Sequence, residues 1–256
     1  MALITVRWFS DVLGLSTTTT VILPQAAYEA GVEGASAIPD RLPTLYLLHG
    51  LSQDDASWTR HTSLERYVAG MPLAVVMPAV HRSYYANQAD GFRYFEHLAE
   101  ELPAVMRGFF PLSDRREDTF VAGLSMGGYG AMKLALRRPE RFAAAASMSG
   151  GLDVTARPNS YPEEWRRTFG SPEIAREASE DVIDLVRRAD PGALPRLWAW
   201  CGTEDFLLEE SRTFRDTCAS SGVALEYSES AGAHDWPAWD EQIPRVLEWL
   251  PLTQPG

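Results

Sequence analysis

Short, continuous apolar runs recur along the chain, separated by stretches whose apolar residues follow helical spacing. Runs of this kind are typical of strands buried on both faces, as in a parallel sheet. They lie at residues 43–48, 73–77, 120–122, 141–148 and 196–201, and a final strand is predicted at 223–228. The pattern therefore predicts a parallel sheet at the centre of the fold.

The first residues carry a different pattern, which predicts an antiparallel pair of strands. Residues 3–9 alternate weakly between apolar and polar, and residues 17–23 are β-branched and stop at Pro24. The glycine-, alanine- and proline-rich residues 25–42 predict a loop. These features add two antiparallel strands to the start of the sheet.

In most of the intervals between the predicted strands, the apolar residues recur at helical spacing. Helices are predicted at residues 57–69, 92–109, 206–220 and 236–250. Asp54 and Asp55 offer N-caps for the first of them. Strands followed by repeated strand–helix units predict an α/β fold, with a mostly parallel sheet and helices on both faces.

One long interval, residues 153–191, contains no predicted strand. It carries Trp165, Phe169 and a charged helical stretch. Intervals of this length between strands are usually functional. We therefore interpret residues 153–191 as a cap or lid insertion over the carboxyl edge of the sheet, within a single domain that spans residues 1–256.

Composition and charge exclude several classes of partner. The chain has 256 residues, a size that suits one α/β domain, and a net charge of −12 without a Lys/Arg cluster. We therefore expect neither nucleic acid nor a membrane as partner, and the sequence leaves a homo-oligomer open. The N-terminus lacks the pattern of a signal peptide, and the two cysteines form no C-x-x-C motif. These features predict a cytoplasmic protein with free thiols.

The candidate chemistry centres on Gly123-Leu124-Ser125-Met126-Gly127, a G-x-S-x-G pattern. An apolar run precedes this pattern and small, helix-compatible residues follow it. Strand, sharp turn and helix are the context of the nucleophile elbow of α/β-hydrolases, in which the serine hydroxyl stands clear of the sheet. Ser125 is therefore the candidate nucleophile.

A serine nucleophile of this kind needs an acid and then a histidine further along the chain. His234 is the only histidine after Ser125. Glu204 and Asp205 both follow the strand predicted at 196–201, and their positions alone leave the choice of acid open. In this arrangement the histidine takes the serine proton, and the acid fixes the tautomer of the histidine.

The oxyanion of the reaction needs two preset N–H donors. Met126 follows the nucleophile at a helix N-terminus and supplies the first candidate. Leu51 follows His49-Gly50 at the end of a predicted strand and supplies the second. We expect His49 to brace this loop rather than to react.

Four segments together resemble the esterase D-like branch of α/β-hydrolases, most closely its tributyrin-esterase-type members. They are L-P-T-L-Y-L-L-H-G-L-S, E-D-T-F-V-A-G-L-S-M-G-G-Y-G-A, P-E-R-F-A-A-A-A-S-M-S-G and G-A-H-D-W, and Y-A-N-Q at residues 85–88 makes the match more specific. The resemblance implies a carboxylesterase without cofactor or metal. It also implies a catalytic triad of Ser125, Asp205 and His234, and so favours Asp205 over Glu204.

Bulky aromatic residues are the candidates for the walls of the substrate pocket. The predicted insertion, the loop at residues 80–91 and the segment after His234 should wall the pocket, and the candidates are Trp58, Tyr84, Tyr85, Trp165 and Trp236. Bulky walls predict a small acyl group, from acetyl to hexanoyl, on a small-molecule ester. Two alternatives stay open. One is another acyl-transfer hydrolase, such as an S-formylglutathione hydrolase, another thioesterase, an acetyl or feruloyl esterase or a peptidase. The other is a non-catalytic protein that binds ligands in the cleft.

Overall fold

The computed structural model describes residues 1–25, 39–155 and 162–252. Most of the loop predicted for residues 25–42 lies outside this range, as do residues 156–161 of the predicted insertion. In the described part of the chain no helix is both long and apolar enough to cross a bilayer.

Eight strands form one sheet. They are β1 (Ala2–Ser10), β2 (Leu15–Leu23), β3 (Thr44–Leu48), β4 (Ala74–Pro78), β5 (Thr119–Leu124), β6 (Ala144–Met148), β7 (Arg196–Gly202) and β8 (Glu226–Ser230). Their order across the sheet is β1-β2-β4-β3-β5-β6-β7-β8. β1 pairs antiparallel with β2, and β2 pairs antiparallel with β4. All the other pairs are parallel, which confirms the predicted sheet.

Ten α-helical segments connect or flank the strands in the described residues. They are α1 (Ser57–His61), α2 (Leu64–Val68), α3 (Tyr94–Glu96), α4 (Leu102–Phe109), α5 (Met126–Arg137), α6 (Pro162–Phe169), α7 (Pro172–Glu177), α8 (Val182–Arg188), α9 (Leu208–Ser220) and α10 (Trp236–Trp249). A π-helical turn, His97–Glu101, joins α3 to α4. Helices α6, α7 and α8 lie between β6 and β7 in the chain, in the interval predicted as an insertion.

The prediction of one continuous helix over residues 57–69 is wrong, because the segment forms two short helices, α1 and α2. The predicted caps are also wrong. Asp55 accepts hydrogen bonds from the hydroxyls of Thr18 and Thr20 on β2, at 2.8 and 2.7 Å. The Asp55 carboxylate is therefore bound by two hydroxyls of β2, and α1 begins without a side-chain cap.

The core consists of two apolar layers, one on each face of the sheet. Successive strand residues point to opposite faces, so Leu48 packs in one layer and Leu47 in the other. The first layer includes Met132 of α5, and the second includes Ile243 of α10. Burial on both faces explains the continuous apolar runs, and it places the carboxyl ends of the parallel strands at one edge.

A buried ion pair ties α5 to the segment just before α8. The Lys133 ammonium is fully buried and donates to Glu180 and, at 3.1 Å, to the carbonyl oxygen of Tyr84. Tyr129 donates its hydroxyl to the Glu180 carbonyl oxygen at 2.7 Å, and Arg137 donates to the Glu180 carboxylate at 3.1 Å. Glu180 is therefore held, through its carboxylate and its carbonyl oxygen, by donors from three turns of α5.

We expect Lys133→Ala to lower the free energy of unfolding by about 3 kcal/mol, because a buried carboxylate oxygen of Glu180 loses its cation. Urea denaturation followed by circular dichroism measures this loss. Arg188→Ala, which breaks the half-exposed Asp184–Arg188 pair on α8, is the matched control and is expected to cost at most about 1 kcal/mol. Equal losses in the two variants would show that burial does not decide the effect.

Candidate active site

Ser125 lies at the sharp turn between β5 and α5. Its backbone φ of 53° lies in the left-handed region, which residues other than glycine rarely adopt. A Cβ at Gly123 would lie 2.4 Å from the carbonyl of Gly127, and one at Gly127 would lie 2.3 Å from the Leu48 carbonyl oxygen. Only glycines allow this close packing, so the two glycines of the motif let the turn place Ser125 at the strand edge.

The Ser125 hydroxyl is hydrogen-bonded to a histidine that lies 109 positions further along the chain. Its Oγ lies 2.9 Å from Nε2 of His234, in the loop between β8 and α10. The neighbouring Asp235 caps α10 by accepting from the N–H of Ala238 at 3.1 Å. The cap fixes the start of the helix and with it the end of the loop that carries His234.

Asp205 holds the other side of the His234 ring. Its Oδ2 and Oδ1 lie 2.9 and 3.1 Å from His234 Nδ1, and Oδ1 also accepts from the N–H of Leu207 at 2.8 Å. Burial raises the pKa of Asp205, but the hydrogen bonds from His234 and Leu207 outweigh it and hold the pKa below its ordinary value. Asp205 is therefore ionised at neutral pH.

Glu204, the competing acid, has other partners. Its carboxylate accepts from the N–H of Gly232 at 2.6 Å and from the hydroxyl of Thr203 at 2.8 Å. The side chain is exposed and makes no hydrogen bond to His234 among the described residues. Adjacent residues on this turn point in different directions, and the geometry brings Asp205 to His234.

The two residues predicted to supply the oxyanion donors both lie at the nucleophile. Leu51 and Met126 both line the cavity at Ser125. Within the described part of the chain, neither N–H donates to a protein acceptor. Gln53 accepts from the N–H of Gly50 at 2.7 Å and so fixes the loop that carries Leu51. The amides of Leu51 and Met126 therefore stay the candidates for an oxyanion hole.

His49 is locked as a neutral side chain behind this loop. Its Nδ1 donates to the Gly50 carbonyl oxygen at 2.7 Å, and its Nε2 accepts from the N–H of Val80 at 3.1 Å. Burial lowers the pKa of His49 to about 4. Because both ring nitrogens are hydrogen-bonded and the ring is neutral, His49 braces the loop and has no free nitrogen with which to act as an acid or base.

The cavity at Ser125 has a volume of about 310 Å³. It is lined by Leu51, Tyr84, Ser125, Met126, Gly151, Val154, Trp165, Phe206, Leu207 and His234. The structure thus brings two of the five predicted wall residues, Tyr84 and Trp165, to the nucleophile. Trp165 is fixed there by its indole N–H, which donates to the Val154 carbonyl oxygen at 2.9 Å.

The other three predicted wall residues do not line this cavity, and their assignment is corrected. Trp58 is fully buried and donates its indole N–H to the Leu48 carbonyl oxygen at 3.1 Å. Tyr85 is equally buried and donates its hydroxyl to the His49 carbonyl oxygen at 2.8 Å. Trp236 stacks on His61 and packs edge-on against Trp58. All three stabilise the scaffold behind the site.

Phe206 is the main wall residue that the sequence reasoning missed. Its ring is 71% exposed and lies 4.6 Å from the His234 ring, centroid to centroid. The sequence feature that could have identified Phe206 is its position directly after Asp205, on the turn that carries the acid. Gly151, Val154 and Leu207 were missed as well, and small or aliphatic loop residues of this kind carry no pattern of their own.

Comparison with known proteins identifies the family of the chain. The chain matches the model of a family described as putative esterases over residues 10–250. It is 29% identical to an acetyl esterase of Caldicellulosiruptor saccharolyticus, with 98% of each chain covered. The alignment therefore spans nearly the whole of both proteins.

Solved serine hydrolases have the same fold. The substrate-bound structure of FphF, a fluorophosphonate-binding serine hydrolase of Staphylococcus aureus, is 32% identical with a TM-score of 0.87, covering 98% of this chain and 99% of that one. The S-formylglutathione hydrolase FrmB of the same organism is also 32% identical, with a TM-score of 0.84 and the same coverage. The α/β-hydrolase fold is thereby confirmed. The chain belongs to the esterase family that its sequence matches, in the esterase D-like branch, and is a carboxylic ester hydrolase.

Proposed function

We propose that the protein is a serine carboxylesterase that hydrolyses short-chain acyl esters through an acyl-enzyme intermediate. The observation that carries the proposal is the hydrogen-bonded series Ser125–His234–Asp205, which opens on a cavity bordered by two amides. The roles follow from the chemistry of each group. Ser125 is the nucleophile, His234 the general base and acid, and Asp205 the group that orients His234.

In the first step, Ser125 Oγ forms a bond to the acyl carbon while His234 Nε2 takes the hydroxyl proton. The carbonyl oxygen becomes an oxyanion and accepts hydrogen bonds from the N–H groups of Leu51 and Met126. Each such donor typically lowers the barrier by about 3 kcal/mol. The ionised Asp205 stabilises the imidazolium that forms.

The tetrahedral intermediate then collapses. The bond from the acyl carbon to the alcohol oxygen breaks, and His234 gives its proton to the leaving alcohol, which departs past Phe206. A water molecule next attacks the acyl-enzyme while His234 takes one of its protons. That proton returns to Ser125 Oγ as the acid is released, so the protein ends in its starting state.

The acyl preference is proposed from the walls of the cavity. Trp165 and Tyr84 are large side chains that close part of a space of about 310 Å³. The Tyr84 backbone has a φ of 51°, and its carbonyl oxygen is held by the buried Lys133 at 3.1 Å. A wall anchored in this way does not yield readily to a longer chain, so acetyl to hexanoyl groups fit best.

We expect kcat/KM for p-nitrophenyl esters to be highest between acetate and hexanoate, and Trp165→Ala to move this optimum toward longer chains. The ratio of decanoate to butyrate activity should rise by about 10-fold or more, since each buried methylene contributes about 0.8 kcal/mol. Trp165→Phe keeps a bulky ring and is the matched control, with a smaller rise. A wild-type rate that climbs beyond octanoate would contradict the short-chain proposal.

A second candidate function is thioester hydrolysis, which the likeness to the S-formylglutathione hydrolase FrmB favours. The same groups serve this reaction, with a thiol as the leaving group. Assays of S-formylglutathione beside p-nitrophenyl acetate distinguish the two functions. A kcat/KM for the thioester well above those for all short-chain oxygen esters would replace the first proposal with the second.

A further inference from the structure

Arg82 does not line the cavity at the nucleophile, yet its side chain is hydrogen-bonded to two segments that do. Its Nε and Nη2 donate to the two carboxylate oxygens of Glu164 on α6, each at 2.6 Å. Its Nη1 donates to the hydroxyl of Ser52 at 2.8 Å. Arg82 itself belongs to the loop at residues 80–91. One guanidinium group therefore joins three segments of the chain.

Each segment that Arg82 joins contributes a residue to the cavity. Leu51, which carries one of the two proposed oxyanion donors, directly precedes Ser52. Trp165, one of the two large aromatic walls, directly follows Glu164. The loop supplies the other aromatic wall two residues after Arg82. The contacts of this one side chain thus lie immediately behind both sides of the cavity.

The loop at residues 80–91 also binds the other end of α6, through main-chain atoms. The N–H groups of Ala89 and Asp90 donate to carbonyl oxygens in the last turn of α6, both at 2.9 Å. Glu164 lies in the first turn of the same helix, next to Trp165. The ion pair of Arg82 therefore attaches the end of α6 that carries the cavity wall.

The geometry of the Arg82–Glu164 pair suits a contact that fixes positions. Isolated ion pairs at the surface contribute little to stability, because water screens them and two long side chains lose freedom. Here two nitrogens of a planar guanidinium meet both oxygens of one carboxylate, and the third nitrogen is bound to Ser52. A bidentate contact of this kind fixes direction as well as distance. Its contribution is therefore expected in the alignment of the joined segments.

We propose that Arg82 is a positioning residue that binds α6 to the loop carrying Leu51, and so fixes the Trp165 wall relative to the Leu51 N–H. This inference rests on the proposed function, in which Leu51 binds the oxyanion and Trp165 limits the acyl chain. An ester whose carbonyl oxygen is bound at Leu51 then meets the Trp165 ring at a set distance along its acyl chain. Small misplacements of such groups cost rate even when the altered residue does not touch the substrate.

Two variants separate the two sides of this contact. Ser52→Ala removes the partner on the oxyanion side and is expected to lower kcat for p-nitrophenyl acetate by about three- to ten-fold, with KM changed less than about two-fold. Its ratio of decanoate to butyrate activity should stay that of the wild type. Glu164→Ala frees the wall instead. Its ratio should rise about three-fold or more, with kcat for the acetate changed less than about two-fold.

Arg82→Ala removes both sides and is expected to show both effects, a lower kcat and a higher ratio of decanoate to butyrate activity. Arg82→Lys keeps the charge but not the planar fork, so it should restore only part of each. Arg188→Ala is the matched control, since it removes an arginine of the Asp184–Arg188 pair on α8. It should leave kcat and the ratio at wild-type values.

Unfolding temperatures of all variants show whether each one is folded under assay conditions. If Arg82→Ala does not fold, Ser52→Ala and Glu164→Ala decide the question, because each leaves one side of the contact in place. Folded variants with the wild-type kcat and the wild-type ratio would overturn the inference, as would a drop in kcat that the Arg188 control shares. Turnover that survives in Ser125→Ala would instead overturn the proposed function, so the two failures are distinguishable.

Discussion

Ser125→Ala is expected to lower kcat for p-nitrophenyl acetate by about 10⁴-fold or more, because the attacking oxygen and the acyl-enzyme are both lost. The cavity, the two amides and His234 remain, so weak binding of the ester is retained. Initial rates at saturating substrate, together with the free energy of unfolding, measure the effect. Turnover within ten-fold of wild type in a folded variant would exclude Ser125 as the nucleophile.

Two further serine variants control for folding. Ser220→Ala changes an exposed serine at the end of α9 and is expected to keep the wild-type rate. Ser125→Gly is expected to be as inactive as Ser125→Ala but more stable, since glycine relieves the strain of a φ of 53°. A less stable glycine variant would show that the elbow is not strained at this position.

Asp205→Asn is expected to lower kcat by about 10⁴-fold, because an amide can fix the wrong tautomer of His234 and cannot stabilise its imidazolium. The neighbouring Glu204→Gln is the matched control, since it makes the same chemical change one residue away. Glu204 bonds Gly232 and Thr203 instead of His234, so its variant should keep activity within a few-fold of wild type. The measurement is kcat for both variants at several pH values. Loss of turnover only in Glu204→Gln would reverse the assignment of the acid.

Much of the fold could be predicted because the sheet is buried on both faces. The continuous apolar runs that end at Leu48 and Met148 are the direct sequence signature of that burial. The division of residues 57–69 into two helices was harder to predict, since apolar residues at helical spacing do not show where a helix is interrupted. The chain leaves helical geometry between α1 and α2, where Ser63 donates its N–H to the Asp240 carboxylate at 3.0 Å. That contact joins residues 177 positions apart.

The candidate site was predictable where chain order constrains it. Ser125, an acid after a late strand and a single downstream histidine follow from the topology of the fold, because each lies at the carboxyl end of a strand. The choice between Glu204 and Asp205 was not fixed by position alone. It depends on which way two adjacent side chains point, and this is a property of the turn rather than of residue type.

The cavity walls were the least predictable part of the site. Trp58, Tyr85 and Trp236 are as bulky and as close in sequence to the site as Tyr84 and Trp165, yet they pack away from it. Tyr84 and Tyr85 show the reason, since both have a φ above 50° and point in different directions from consecutive positions. Loop geometry of this kind depends on tertiary contacts such as the one from Lys133 to Tyr84.

The role of Ser125 as the nucleophile is tested most directly by peptide mapping after the protein reacts with a fluorophosphonate. The serine oxygen that attacks phosphorus displaces fluoride and keeps the phosphonyl group, so the adduct marks the nucleophile. Trypsin releases residues 117–133, a peptide in which Ser125 is the single serine. We predict that mass spectrometry finds the adduct on Ser125 and that Ser125→Ala is not labelled. An adduct on another residue of the active wild-type protein would contradict it.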